Sequence, residues 1–370
     1  MNANEAKKTV VKEAVAAIFT KYDATSVEKL LKEDYIQHNT AVPTGRAPIV
    51  GFLPALKSSG IGVTTHRLIA EGNFVVAHNT YTKADLFGAP TIVAFDVFRV
   101  ENGKVAEHWD NITPVAKPNP SGRTQVDGPT EISDLDKTAD NKALVANFVE
   151  NVLIGGKFDR LAQFINPQRY HQHNSQIADG LDGLGAAVAA MAKQGITMKY
   201  DTLHLVVAEG NFVFTMSEGR FAGKPTAFFD LFRVQDGLIV EHWDVMSDIP
   251  DTMAHSNGKF GGAARHVGGP ASVIGKSYKA DFGSMKFRLD FTSTQELVWS
   301  EITPSGLGPR HKEKITMVEV RPGVFMVYWT EASGMRVTHV EDFARGVVHT
   351  NIAGPDGSFY NLTGTLHLIP

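Results

Sequence analysis

The 370-residue chain has no cysteine, which excludes disulfides, thiolate metal sites and a cysteine nucleophile. No uninterrupted apolar stretch approaches the ~20 residues that a membrane-spanning helix needs. The first apolar segment is broken by Lys12 and Glu13, which reads as a helix rather than a signal peptide. Neither sign of charge dominates: 36 Lys and Arg stand against 40 Asp and Glu, a formal net charge of −4, so nothing draws the chain to nucleic acid or an anionic membrane. No G-x-G-x-x-G, Walker or G-x-S-x-G arrangement sits in a strand–helix context, which weakens nucleotide and serine-hydrolase readings. These absences leave the expectation of a soluble, cytoplasmic protein, with about two to three domains for this length.

What the chain does have is an internal repeat. Tyr35-Ile-Gln-His38-Asn39, Ala70-Glu71-Gly72-Asn73-Phe74-Val75, Asp96-Val-Phe-Arg99-Val and Glu107-His108-Trp109-Asp110 form one series. Tyr170-His-Gln-His173-Asn174, Ala208-Glu209-Gly210-Asn211-Phe212-Val213, Asp230-Leu-Phe-Arg233-Val and Glu241-His242-Trp243-Asp244 form the second, at offsets between 134 and 138 residues. A duplicated domain is the economical explanation.

Apolar spacing predicts helices at 5–21, from Thr25 or Ser26 through Leu31, and at 47–58, followed by strands from Thr64 to about Thr113 with Glu-Gly-Asn and Glu-Asn-Gly hairpin turns. The order recurs, with helices at 139–154, near 158–164 and at 181–194, then strands near 199–208, 211–221, 225–234 and 238–246. Helices first and a meandering antiparallel sheet afterwards give an α+β domain. Short alternating strands from 277 onward, with glycines at the corners, predict an all-β barrel. The expected division is 1–118 and 138–250 for the two copies, 271–370 for the barrel, and linkers at 119–137 and 251–270.

Strand alternation puts His108 and Asp110 on one face and Glu107 and Trp109 on the other, with His242 and Asp244 alike. Asp96 and Asp230 lie inside apolar alternations, so each sits at a sheet edge or projects into an enclosed pocket. Desolvation there raises a carboxylate's proton affinity and makes it a usable acid or base, and a neighbouring His can relay the proton. The alternative is that these residues satisfy loop backbone or mark ancestry. His38 and His173 either line the same pocket or serve their own loops. His78 has no counterpart, so a role for it would equip only one copy. His66 and His204 fit strand-surface positions. Arg99 and Arg233 should face away from Asp96 and Asp230. A metal set of His38, His108 and Asp110 lacks the clustered spacing of familiar sites.

The run Y-x-Q-H-N, A-E-G-N-x-V, D-x-F-R-V and E-H-W-D resembles the SnoaL-like family of the nuclear-transport-factor-2-like superfamily, over residues 5–114 and 138–248. The resemblance implies a cone-shaped α+β barrel enclosing a deep pocket. It also implies aldol-type chemistry of the polyketide-cyclase kind, without cofactor or metal, with Asp110 or Asp244 as acid–base catalyst. Asp96, Asp230, His38, His108, His173 and His242 match pocket-lining positions. Copies of this fold commonly pair through their sheets, which implies an internal pseudo-dimer and leaves a homodimer open. Gly275-Lys-Ser-Tyr278, Pro322 to Glu331 and His339-Val-Glu-Asp-Phe343 resemble the MoaF-like domain and, more distantly, phenolic acid decarboxylases, both lipocalin-like barrels. There Glu331 matches a catalytic glutamate, Ala280 and Phe282 replace the paired tyrosines, and Tyr278 and Tyr328 are candidates for a ligand pocket.

The leading expectation is a cofactor-independent acid–base enzyme, a lyase or isomerase, acting on a small carbonyl or polyketide-like substrate. Asp110 or Asp244 is the base, His108, His242, Asp96 and Asp230 position it, and His38, His78 and His173 are candidate donors to an enolate oxygen. The alternatives are a non-catalytic small-molecule-binding protein, and lyase chemistry at Glu331 in the barrel.

Overall fold

Asn2 opens helix α1 (Ala3–Phe19) by accepting the Glu5 N–H, and the expected apolar stripe buries Val11, Ala14 and Val15. Asp23, rather than Thr25 or Ser26, caps α2 (Ala24–Leu30). Helix α3 (Arg46–Ser59) contains Pro54 and ends at a left-handed Gly60. Between α2 and α3, Leu31–Gln37 is a strand, β1, that runs parallel to the last strand of its sheet. The hairpin strands β2 (Gly62–Glu71), β3 (Phe74–Thr82), β4 (Thr91–Glu101) and β5 (Lys104–Pro114) complete a sheet of order β1-β5-β4-β3-β2. The antiparallel meander is therefore extended by one parallel edge strand, which sets Gln37 beside His108 in register.

The second copy repeats this plan with local changes. Helix α4 (Thr138–Phe148) runs on into a π-helical turn, Val149–Ile154, and the short helix near 158–164 is a 3-10 segment, Phe158–Gln163. Strand β6 (His171–Gln172) and helix α5 (Gly180–Lys193) precede β7 (Met198–Glu209), β8 (Phe212–Phe221), β9 (Lys224–Gln235) and β10 (Leu238–Asp248), in the order β6-β10-β9-β8-β7. The β4–β5 and β9–β10 turns are the left-handed pairs Asn102-Gly103 and Asp236-Gly237, with φ of 51° and 73°, and 53° and 74°.

This computed structural model describes residues 2–263, 273–321, 323–343 and 346–369, and divides into two units, Met1–Ala263 and Ala264–Pro370. Both repeats belong to the first unit, and their sheets pack face to face. One continuous core joins Ile69, Val76, Phe95, Val97 and Trp109 of the first copy to Val207, Phe212, Phe214, Phe229 and Trp243 of the second. The repeated A-E-G-N motif explains itself here. Glu209 accepts the Ala70 N–H at 2.8 Å and pairs with Lys8 at 2.7 Å; Glu71 accepts the Ala208 N–H at 2.9 Å and pairs with Lys142 at 2.8 Å. Each copy's glutamate thus clamps the other copy's backbone.

The segments read as linkers follow fixed courses along this unit, while 264–270 lies outside the described residues. The strap after β5 crosses to the second copy: Thr124 O meets His173 Nδ1 at 2.7 Å, and Asp127 O accepts the Trp243 indole N–H at 3.0 Å. The strap after β10 crosses back to the first copy: Gly258 O meets His38 Nδ1 at 2.6 Å, and Gly261 O accepts the Trp109 indole N–H at 3.0 Å. Corresponding strap residues, Thr124 and Gly258 or Asp127 and Gly261, are 134 residues apart, so the straps are themselves part of the repeat. Gly128 is required in the first strap: its φ is +94°, and a Cβ there would lie 2.7 Å from Glu241 Oε1.

In the second unit, strands β11 (Ser277–Asp281), β12 (Lys286–Ser293), β13 (Glu296–Thr303), β14 (Gly306–Leu307), β15 (His311–Lys314), β16 (Thr316–Arg321), β17 (Val324–Thr330), β18 (Arg336–Asp342), β19 (Val347–Ala353) and β20 (Phe359–Ile369) form one antiparallel sheet. It curls around Tyr278, Phe291, Phe325 and Trp329 as a half-barrel; among the described residues no ladder joins β15 to β16. No helix of the described residues is long and apolar enough to cross a membrane.

Candidate active site

In the first copy, the meander sets Asp96 of β4 directly opposite Asp110 of β5, with Ala77 on the far side of Asp96. Alternation turns both carboxylates toward the helices, away from the inter-repeat core. His108 Nε2 lies 3.1 Å from Asp96 Oδ1, and Asp96 Oδ2 accepts from Asn79 Nδ2 at 2.7 Å and from the Tyr81 hydroxyl at 2.9 Å. Asp110 Oδ2 accepts from Asn39 Nδ2 at 2.5 Å.

The surrounding hydrogen bonds locate a proton. Gln37 Oε1 accepts the backbone N–H groups of His38 and Asn39 at 2.9 and 2.8 Å, so it also faces His108 Nδ1, at 2.9 Å, as an acceptor. Nδ1 therefore carries hydrogen, and the contact between Nε2 and Asp96 needs a second proton between them. The pair holds that proton as imidazolium and carboxylate, or as imidazole and carboxylic acid. Burial, followed by the charges of Asp110 and Asp96, pushes the Tyr35 hydroxyl well above its ordinary value, and burial and Asp96 do the same to Tyr81, which keeps its proton and donates to Asp96.

The second copy reproduces the constellation. Asp230 faces Asp244 in the ladder, His242 Nε2 is 3.1 Å from Asp230 Oδ1, Gln172 Oε1 is 3.0 Å from His242 Nδ1, and Asn174 Nδ2 donates to Asp244 Oδ2 at 2.7 Å. The phenol arrives differently: Tyr200 of β7 donates to Asp230 at 3.3 Å, whereas Tyr81 comes from β3. In the register of each sheet these tyrosines stand opposite Gly219 and Val63, so the same hydroxyl is supplied from opposite sides of the hairpin.

Six of the residues singled out in the sequence thus gather as two sets, Asp96, His108 and Asp110, and Asp230, His242 and Asp244. The proposed donors His38, His173 and His78 do not join them. His38 stacks on Trp109 with centroids 4.8 Å apart and meets Glu107 Oε1 at 2.9 Å; His173 does the same with Trp243, at 4.6 Å, and Glu241, at 2.9 Å. Each lies one residue beyond its edge strand, where the turn carries it to the strap side of the sheet. His78 stands opposite Phe95 in the inter-repeat core, stacked on it at 4.3 Å, with Nδ1 toward Arg67. Burial, reinforced by Arg67, holds His78 well below the ordinary histidine value. As expected, Arg99 and Arg233 face away from the strand aspartates and bind Glu107 and Glu241.

The SnoaL-like domain family matches residues 11–108 and 145–242, together about half of the chain, and the MoaF-like family matches 274–367. The chain belongs to the SnoaL-like family. Among solved structures it is similar to an NTF2-like protein of unknown function from Mesorhizobium loti, at 18% identity over 30% of this chain and 95% of that one, with a TM-score of 0.27. It is also similar to an LEH-like epoxide hydrolase of M. tuberculosis, at 18% identity over 30% and 86% of the two chains with a TM-score of 0.26. A candidate polyketide cyclase of Bacillus cereus gives 17% identity over 29% and 74%, also with a TM-score of 0.26. No curated protein matches the chain.

The two SnoaL-like sites differ in what surrounds them. A cleft of about 620 Å³ reaches Asp110, lined also by Asn39, Ile112, Pro225, Ser247 and Lys259. Lys259 enters on the exchanged strap, donates to Asp110 O at 2.6 Å and holds its Nζ 3.7 Å from Asp110 Oδ1. Burial pulls its ammonium below the ordinary lysine value against the opposing pull of Asp110. Asp96, His108 and Asp110 place donor atoms within 4.8 Å of one another, a set able to hold a divalent cation; Lys259 already brings a basic group to the same carboxylate.

In the second copy, burial and the charge of Asp230 raise the Asp244 carboxyl above its ordinary value, against His242 and Asn174. Burial alone would depress His242, but its hydrogen bond to Asp230 and the charges of Asp230 and Asp244 raise it above 6.5. The stability from this raised group is fully present below the unfolded value and is lost as pH rises through the folded one. A proton-detected titration should therefore place the His242 midpoint above 6.5, and Asp230→Asn should lower it, because only the Asp244 charge then opposes burial.

The barrel candidates are dispersed. Tyr278 packs between Phe291 and Phe343 in the core, Tyr328 is exposed on the other face, and Glu331 follows β17 in a turn with Ser333.

Proposed function

We propose that the SnoaL-like unit is an acid–base enzyme for a small carbonyl compound, with its working site at Asp110 in the first copy and no requirement for a cofactor. The observation that carries this reading is Asp110 at an open cleft, with donor atoms of the buried Asp96 and His108 within 4.8 Å of its own. Asp110 takes a proton from the carbon beside the carbonyl. Asn39 fixes one of its oxygens, leaving the other toward Lys259. The His108–Asp96 pair, with its single shared proton, returns a proton to the oxygen or to a departing hydroxyl. Tyr81 and Asn79 keep Asp96 in place, and Gln37 fixes the imidazole tautomer. Proton removal of this kind serves aldol or retro-aldol steps, elimination and isomerisation alike.

The test is deuterium entry at the α-carbon of ketones, β-hydroxy ketones and aromatic β-diketones, followed by NMR in D₂O with EDTA present. Exchange above the buffer rate is the expected result. Saturable binding with no exchange across the panel would replace the enzyme by a small-molecule-binding protein.

A further inference from the structure

Lys259 combines burial with a place on the cleft: its side chain is 7% exposed and its Nζ lies 3.7 Å from Asp110 Oδ1, whereas Lys224 on the same cleft is 69% exposed. The Lys259 Nζ also sits 5.8 Å from the Phe229 ring of the second copy. Seating the strap does not need it. Gly258 O, Gly261 O, the Asn257 amide, the Ala254 N–H and His255 already tie that segment to the first copy. The corresponding residue of the other strap is Gln125, which turns back to accept the Ala116 N–H. The lysine therefore accompanies the cleft rather than the strap.

We propose that Lys259 is a catalytic nucleophile that condenses with the carbonyl of the substrate as a Schiff base, with Asp110 as its proton-transfer partner; this rests on the carbonyl reading above and names the chemistry of that site. A lysine amine attacks only when neutral; burial favours that form against the pull of Asp110, which is placed to take the ammonium proton. The steps balance without any further reactant. The nitrogen lone pair forms the C–N bond, the carbonyl π pair moves to oxygen, and the nitrogen proton passes through Asp110 to that oxygen. The proton that Asp110 took from the Lys259 ammonium to free the amine then goes to this oxygen, which leaves as water and gives an iminium ion. The carboxylate then takes the α-proton, and the iminium nitrogen receives the electron pair as an enamine. Reprotonation and hydrolysis return the free amine.

The probe is 2,4-pentanedione, which converts an unprotonated lysine to a vinylogous amide with near-ultraviolet absorbance. The full-length protein is labelled at neutral pH and the adduct placed by peptide mapping. Lys224 lines the same cleft but is exposed and paired with Asp248 at 3.0 Å, and so serves as the internal control. The expected result is one adduct per chain at Lys259, formed before Lys224 reacts, since burial lowers the Lys259 pKa and raises its neutral fraction. Lys259→Arg, which keeps the charge, should lose both the adduct and α-exchange. Scattered slow labelling with Lys259 untouched, or full exchange in Lys259→Arg, overturns the covalent role and leaves acid–base catalysis at Asp110 standing. An adduct at Lys259 with no exchange on any carbonyl supports the nucleophile and removes the acid–base reading instead.

Discussion

Asp110→Asn is expected to slow α-proton exchange by about 10²–10⁴-fold, the usual contribution of a positioned base, while ligand affinity changes little. The amide fills the same volume, and its oxygen can accept the bond that Asn39 now gives to Oδ2. It cannot accept a proton from carbon. Asp244→Asn, examined in parallel, should leave exchange near the unaltered rate, because the cleft reaches Asp110. Loss of exchange in Asp244→Asn alone would move the working site to the second copy and remove the role assigned to Asp110.

Glu241→Ala should produce the largest loss of stability, about 3–5 kcal/mol, the cost of leaving buried charges without their partner. Glu241 is fully buried, accepts from His173 and Arg233 at 2.9 and 2.8 Å, and lies against Gly128 of the strap. Removing it strands a histidine and an arginine and opens space beneath the segment that Trp243 and His173 hold. Chemical denaturation measures the loss, and limited proteolysis between residues 120 and 130 should accelerate with it. Burial would raise the Glu241 carboxyl, but the His173 and Arg233 hydrogen bonds and charges hold it below 4.5. Its contribution is thus present above pH 4.5 and is lost as pH falls through the folded value, so the variant and the unaltered protein should converge in acid. An unchanged unfolding midpoint at neutral pH would show that the strap is held by other contacts.

Periodicity and hairpin chemistry carried most of the architecture, because each copy buries one face of its sheet against helices and the other against its twin. Strand β1 escaped: Lys32, Glu33 and Asp34 suit an edge strand, where charge is tolerated, but obscure any alternation. The facing of Asp96, His108 and Asp110 was legible since it depends only on parity within a strand. The parity of His78 follows from its place one residue beyond Ala77, the partner of Asp96, but that register was invisible without the ladder. His38 lies past the strand end, where parity ceases to apply. Tyr81 and Tyr200 were hidden for another reason. Each site obtains its phenol from a different strand, so a comparison of the copies sets each tyrosine against an unlike residue. Lys259 was hidden likewise, by standing against Gln125.

That last mismatch has an evolutionary consequence. In a symmetric homodimer that exchanged its tails, one gene would write the same tail residue into both sites, and every substitution would be made twice. Joining the two halves in one polypeptide lifts that constraint: the tail crossing to one site can acquire a lysine while the other keeps glutamine. The fusion permits one half to specialise in chemistry while the other is kept for the surface it presents.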